Sequence, residues 1–445
     1  MNNKLKPLTG VFKSDNKNYA FYLDNYCITF LDNTTDTHTN STIKPIDEFA
    51  KGTTHNGHTI MIHIGKNEFH LVNTMKLNFS SYILSTSNTF DYDLSFYDGI
   101  LFVGGTIKNL KSPRGIKINY DDDTKRSYIE HKDDSQEFSF KTSDYSCDVT
   151  IGSSTSEHHG KDSIAIKNDK VYFQMLFDKR QPTLSVYKHY NKVKEILSFL
   201  TYRQNVGFDE VYLMQRNTPI GTTKVAQVFI KNSDKLTEKD IFKNLKFDLL
   251  GSNMSNLMKM FYETQDKKKS YSLDIYPESD EMETIITNEM VRGVCSALEC
   301  EIDFVKGVKS DEATKIKALK KQIQPIIDAH KKSDEKLLEK TYSLIETSMQ
   351  HWSMAASDQI KSLYHIYEEE MNILNFSYHT YGDDEIDAFV KYRNHITHGA
   401  YRVMDGTIAF MTHLLAGLVY CCILARIGVP REQITKLCKD GRLLG

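Results

Sequence analysis

The chain has 445 residues, 40% of them hydrophobic and 11% aromatic, enough to fill the cores of two or three ordinary globular domains. Its 56 basic and 59 acidic side chains leave a net charge of -3, which excludes a global positive field that would gather polyanions indiscriminately. Any nucleic-acid site must therefore be a local groove. The first twenty residues carry lysines but no apolar stretch of signal-peptide length, so the expectation is a chain that stays in the cytoplasm. The seven cysteines are scattered without regular spacing, and Cys421 and Cys422 are adjacent, which disfavours a bridge between them and fits a reduced compartment.

In chain order, the first part is punctuated by short β-branched and aromatic runs separated by Asp, Asn, Gly and Ser turns. Examples are residues 19–23, 26–31, 59–64, 68–72, 99–103 and 170–177. Many short strands at near-regular spacing predict a β-sandwich. Residues 187–201 then read as an amphipathic helix, followed by strands over 210–215 and 224–230. From about Ser279 the texture changes to 3.6-residue periodicity over 280–306, 311–331, 334–353, 359–374, 383–398 and 407–427. That pattern predicts a helical bundle. The fold class expected is α+β: a β-rich domain over 1–180, a mixed connecting region over 181–278, and an all-α domain over 279–445.

Lysines and acids alternate through 305–343, which reads as a solvated helical hairpin, with a partner-binding patch as the alternative. Residues 408–425 contain no formal charge and approach membrane-spanning length. Thr412, His413 and Gly417 interrupt them, so a helix buried in the bundle or between subunits is expected rather than a span. His413 there reads as a satisfied core histidine.

Several tempting clusters carry little. His55, His58, His63 and His70 lack paired zinc-ligand spacing. Asp121, Asp122 and Asp123 read as a turn, because the glycine and terminal glutamate of a calcium loop are missing. Gly104 and Gly105 are followed by Thr106 and Ile107 rather than a phosphate cradle and its lysine. No metal and no cofactor is called for.

The richest segment is Tyr392-Arg393-Asn394-His395-Ile396-Thr397-His398-Gly399. Its helix is expected to start with Asp383 and Asp384 at the N-cap, to bury Ile386, Phe389 and Val390, and to stop at Gly399 in the left-handed region. RNA carries its own nucleophile, the 2′-hydroxyl. Its cleavage therefore needs a base for that proton, an acid for the leaving 5′-oxygen, and cations for the transition state. Histidine exchanges protons near neutrality, and arginine presents a permanent planar fork to phosphate. Asn394 would hold phosphate or orient His398, four residues on along the same face. On a straight helix Arg393 and His398 diverge by about 140°, and the motif supplies only one well-placed histidine. A two-fold dimer would bring two of each into one groove. The structural reading of the same residues is a surface arginine and a capping histidine. His395 is then a spare polar residue or a partner that supports the site rather than its base, and Tyr392 and Tyr401 are core or interface aromatics more readily than base-stacking ones.

The R-N-x-x-x-H pattern late in a helical bundle resembles the motif of the HEPN superfamily, whose ribonuclease members carry R-x(4 to 6)-H. The wider layout is similar to the ApeA group of abortive phage infection proteins, in which a β-rich region precedes a HEPN domain. Residues 194–215 and VCSALECEIDF (294–304) are similar to segments of that group. There an acidic residue corresponding to Glu299 faces the arginine; read alone, Glu299 is as readily a half-buried salt bridge. The resemblance implies a metal-independent endoribonuclease with a composite site across a homodimer. It assigns Arg393 and His398 as catalytic, with Asn394 and Glu299 supporting them. RNA is then the substrate, anti-phage defence the role, and a phage-derived trigger the input to the N-terminal domain. Two alternatives remain: a non-catalytic HEPN binding or assembly module, and a carbohydrate- or protein-binding β domain with a helical tail.

Overall fold

The computed structural model describes residues 6–14, 17–31, 41–43, 48–65, 69–71, 75–88, 93–111, 116–121, 126–131, 135–159, 164–217, 221–232, 235–239, 241–266, 275–305, 308, 311–350, 356–375, 381–399 and 402–444. The chain is α+β. It divides into two compact units, Met1–Lys267 with Glu278–Asp280, and Lys268–Pro277 with Glu281–Gly445.

The strands of the first unit are β1 (Leu8–Ser14), β2 (Lys17–Asp24), β3 (Cys27–Leu31), β4 (Ser41–Ile43), β5 (Phe49–Thr54), β6 (Thr59–His63), β7 (Phe69–Leu71), β8 (Met75–Asn78), β9 (Ser81–Ser85), β10 (Phe96–Val103), β11 (Ile116–Asp121), β12 (Arg126–His131), β13 (Gln136–Lys141), β14 (Ser146–His159), β15 (Ile164–Pro182), β16 (Glu210–Asn217) and β17 (Gly221–Ile230). Thirteen of them join one sheet in the order β13-β14-β15-β10-β16-β17-β9-β6-β5-β1-β2-β3-β8, and every pairing is antiparallel. The strand pattern predicts two facing sheets, but the ladder is unbroken. β17 pairs with β9 (Val228 opposite Ile83) and links the two halves edge to edge.

Strand β10 lies between β15 and β16, and everything after its first residue is buried. Burial on both sides explains its continuous apolar run, which lacks the alternation of a half-exposed strand. Strands β16 and β17 are interior members of the sheet. The stretch expected as a connecting region thus supplies part of the sheet's middle.

Helices α1 (Val186–Thr201), α2 (Phe247–Leu250) and α3 (Asn253–Asp266) complete this unit. α1 ends at Tyr202, a non-glycine residue in the left-handed region (φ 53°). Its His189 is buried among the rings of Tyr97, Tyr145, Phe177 and Tyr262, with Nδ1 3.0 Å from the Tyr262 hydroxyl. Burial pushes its pKa down to about 3, aided by the charge of Lys188, so the ring is neutral. Nearby in sequence, Arg203 is 1% exposed and donates from Nε to Asp280 Oδ1 at 3.1 Å. The same carboxylate accepts from Thr237 Oγ1 (2.6 Å) and the Glu238 amide (2.8 Å).

The second unit holds α4 (Asn288–Ile302), α5 (Asp311–His330), α6 (Glu339–Gln350), α7 (Ala356–Ile366), α8 (Glu368–Leu374), α9 (Asp383–Thr397), α10 (Gly406–Arg426) and α11 (Arg431–Lys439). Two expectations shift. The helix expected from residue 280 starts at Asn288 behind the Thr287 cap, whose Oγ1 accepts from Met290 N–H, because Asp280 is committed to Arg203 and Thr237. The helix expected over 359–374 breaks at Tyr367. Glu368, Glu369 and Glu370 then occupy the first turn of α8, where a helix N-terminus favours negative charge. Glu370 is fully buried and accepts from Arg431 through both oxygens and from Thr435. Burial alone would raise its pKa, but these hydrogen bonds hold it below the usual value.

Helix α10 is the hub, packing against α4, α8, α9 and α11. It is buried almost all round, including its middle glycine. A Cβ on Gly417 would lie 2.6 Å from Leu374 Cδ1 and 3.2 Å from Leu444 Cδ1. Among the described residues it is the one helix long and apolar enough to cross a membrane, and 78% of its apolar window is buried inside the protein. All seven cysteines are free thiols, and Cys147, Cys295, Cys421, Cys422 and Cys438 are buried.

Candidate functional site

Helix α9 carries the motif, and its ends fix the geometry. Its N-cap is Gly382, whose N–H donates to Glu385 Oε2 at 2.8 Å; Asp383 and Asp384 occupy the first turn, one step beyond the cap expected for them. Their charges suit the N-terminal dipole equally well there. Ile386, Phe389 and Val390 are buried as the periodicity requires, joined by Tyr392 and Ile396. The helix closes at His398, whose N–H donates to Asn394 O at 3.1 Å, and Gly399 takes φ 78°. That backbone conformation is one a side chain other than glycine resists.

The apolar stripe of α9 rests on α10 and α4, which leaves the motif at the rim. Arg393 donates from Nη2 to Glu299 Oε1 at 2.7 Å and from Nη1 to its neighbour's Asn394 Oδ1 at 3.1 Å. The Arg393 and Glu299 side chains are 24% and 44% exposed, so the bridge is half in water. His398 is exposed, and its imidazole has no hydrogen-bond partner among the described residues. His395 is exposed as well. The structure thus brings Arg393, Asn394 and Glu299 into one hydrogen-bonded group, with His398 at the end of the same helix and joined to none of the three by a side-chain hydrogen bond.

Helix α4 explains that grouping. Asn288, Arg292, Cys295 and Glu299, at steps of four, three and four, form one line along its surface. Asn288 Oδ1 accepts from the Tyr392 hydroxyl (2.9 Å), which also donates to Arg402 O (3.3 Å). Tyr392 is therefore a buried packing residue and not a platform for a base. Arg292 Nη2 donates to Ile396 O at 2.7 Å, a second donor on a last-turn carbonyl that the Gly399 N–H reaches at 3.4 Å. Burial pushes the Cys295 thiol up to about 12, with Arg393 pulling it down and Glu299 pushing it up, so the floor beneath the bridge is a neutral thiol.

Arg292 is the residue that reading the motif alone misses. The signal was available: it lies one turn from Cys295 and two turns from Glu299, on the same face of α4. Tyr401 lies outside the described residues.

The other sequence clusters disperse. His55 meets Thr9 Oγ1 (2.6 Å), His58 meets Ser85 O (2.9 Å) and His63 meets Glu48 (3.4 Å). Among the described residues no group of three or more metal-ligating side chains converges. Asp122 and Asp123 lie outside the described residues, as does the side chain of His70. The first unit does contain a largely apolar cavity of about 160 Å³, with Ile28, Phe30, Ile62, Leu77 and Phe79 in its lining beside the polar His63 and Asn78.

Comparison with protein-family models, with curated proteins and with solved structures gives no match to this chain.

Proposed function

We propose that the chain is a cytoplasmic, HEPN-like endoribonuclease of anti-phage defence whose site is completed by a second copy. The observation that carries this reading is the Arg393 guanidinium, fixed by Glu299 and Asn394 on the helix that ends at an exposed His398. A fixed cation and a solvent-accessible imidazole on one helix are half of the equipment for cleaving RNA with its own nucleophile.

In the proposed reaction an imidazole takes the 2′-hydroxyl proton as the 2′-oxygen bonds to phosphorus. A protonated imidazole gives its proton to the 5′-oxygen as the P–O5′ bond breaks. The products are a 2′,3′-cyclic phosphate and a 5′-hydroxyl. Arg393 neutralises the charge that grows on the phosphorane oxygens, and Glu299 holds it in place. One His398 cannot be base and acid on opposite sides of one phosphate in a single step, so the second comes from the other copy. The apolar cavity of the first unit gives a trigger of small apolar chemistry a place to bind.

The test is purified protein with RNA in EDTA, alongside His398→Ala. Cleavage leaving 2′,3′-cyclic phosphate ends, abolished in the variant with folding and mass unchanged, supports the nuclease. Cleavage retained by the variant removes His398 from the site. RNA that is bound but left intact, together with the absence of His398-dependent toxicity in phage-infected cells, favours the non-catalytic module instead.

A further inference from the structure

One half of the large sheet curls on itself. In the ladder β9-β6-β5-β1-β2-β3-β8 the first and last strands are six places apart, which in a flat sheet would separate them by about 29 Å. Yet Asn78 ends β8 and Ser81 begins β9, three residues on and so at most about 11 Å away. The strands therefore close like a barrel whose seam lies between β8 and β9, β8 pairing with β3 and β9 with β6 and β17. Inward-turned side chains, among them Phe12, Phe21, Ile28, Phe30, Ile62 and Tyr82, form one common core. Small barrels of about eight strands have an interior that either fills with side chains or holds one small ligand.

Here the filling is incomplete where β5 turns Ala50 inward, opposite Ile62 of β6. The cavity of about 160 Å³ takes its walls at that level from β3, β5, β6 and β8. An apolar cavity of about 150 Å³ is large enough for benzene and too poor in polar partners to hold water well. Phe30 and Phe79 in the lining offer ring faces and edges to an aromatic guest.

The polar lining residues, His63 and Asn78, are exposed and so mark the mouth. His63 sits between the rings of Phe49 and Tyr187, each 5.6 Å away, with Nε2 3.4 Å from Glu48 Oε2. Glu48 is a left-handed residue (φ 69°) whose carbonyl accepts from the Ile64 and Gly65 amides at 2.9 and 3.2 Å. A carboxylate only accepts, so the proton of the neutral imidazole is on Nε2 and Nδ1 is the acceptor. A mouth made of an acceptor nitrogen, a carboxylate and a carboxamide favours a guest that offers an N–H or O–H, and disfavours an anionic one.

We propose that this cavity binds a small neutral aromatic molecule carrying one hydrogen-bond donor, of phenol to indole size, with its ring inside the curled sheet and its donor at His63 and Asn78. The proposal gives a chemical class to the trigger and rests on the reading above for that regulatory meaning. Binding itself does not depend on the nuclease.

The experiment titrates the full chain with indole, phenol, toluene and benzoate, followed by ligand-observed NMR and by melting temperature. Indole and phenol are expected to bind saturably and to raise the melting temperature, and benzoate to bind far more weakly. Ala50→Leu and Leu77→Phe fill the space from different strands. Each should abolish binding while the melting temperature without ligand holds or rises, as filling a void does. His63→Phe keeps the ring packing and Asn78→Ala removes the carboxamide. Each should weaken phenol and indole about 3–10-fold and leave toluene unchanged. The proposal is overturned if none of the probes binds saturably, if both filled variants bind like the parent, if benzoate binds as tightly as phenol, or if the mouth variants weaken phenol and toluene equally. RNA is in none of the samples, so a failure here leaves the nuclease reading standing, and a chain that cleaves no RNA leaves this site standing.

Discussion

Replacing Glu299 with Gln removes one charge at the Arg393 bridge and keeps the shape. The bridge is short, 2.7 Å, but its partners are 24% and 44% exposed, so water screens much of its Coulomb energy. Pairs of that exposure contribute about 0.5–1 kcal/mol to stability. For a unit the size of the helical one, that corresponds to a melting temperature lower by roughly 1–4 °C. The effect on RNA cleavage is expected to be far larger. The Cys295 thiol beneath is held neutral by burial and offers Arg393 no replacement charge, so the guanidinium loses its anchor. A misplaced positioning group costs ~10–100-fold in rate. The assay pairs thermal melting with cleavage kinetics on a short RNA, separating kcat from KM. The expectation is a fall in kcat with KM little changed, and partial recovery in Glu299→Asp, which keeps the charge at shorter reach. A melting point lowered by more than about 8 °C would mean that the bridge is a structural element of the bundle. Cleavage equal to the parent's would show that Glu299 positions nothing.

The first unit carries two further expectations. Asp280→Ala removes one partner of the buried Arg203 ion pair and should cost about 3–5 kcal/mol in urea unfolding. Burial alone would raise the Asp280 pKa, but the Thr237, Glu238 and Arg203 hydrogen bonds hold it below the ordinary value. Its contribution is therefore present above the unfolded pKa and lost as pH falls through the folded one. His189 has its pKa pushed down to about 3, so the unfolded chain binds a proton that the folded chain refuses, and stability should fall as pH drops below about 6.5. The slope is about 1.4 kcal/mol per pH unit for this one group. Unfolding at pH 7, 6 and 5 should show it, and His189→Phe should flatten the profile by one proton. A variant with the parent's profile would place the sensitivity elsewhere.

The architecture was legible where periodicity is decided locally. The helix expected over 187–201 is α1, and the strands expected over 210–215 and 224–230 are cores of β16 and β17. Strand order was not legible, because joining β17 to β9 sets residues 226–230 against 81–85 across more than a hundred intervening positions. Helix starts moved where a side chain had a partner that periodicity does not report. Asp280 reads as an N-terminal acid until Arg203 and Thr237 claim it, and Asp383 and Asp384 read as caps until Glu385 reaches back to the Gly382 amide. Arg292 could be placed on the face of Cys295 and Glu299 by its spacing, but its partner could not, because that partner is a backbone carbonyl.

The site itself turns on how many donors a guanidinium has. Arg393 offers five N–H groups, and Glu299 and Asn394 each accept one, which leaves three for a phosphate. A bidentate bridge to Glu299 would have spent the fork that phosphate recognition uses. A guanidinium with no carboxylate would have had to give up rotamer freedom on binding. One donor committed to the acid on α4 and one to Asn394 orient the plane. The five-residue spacing that separates Arg393 from His398 on a straight helix has a related resolution. Gly399 ends the helix directly after His398, and Arg292 caps the carbonyl of Ile396, so the last turn is held firmly while the imidazole at its end stays in solvent. A fixed cation on one side of α9 and an accessible imidazole at its terminus suit a substrate laid across the helix end. In the proposed nuclease the same two groups from a second copy would complete the site on the far side of the phosphate.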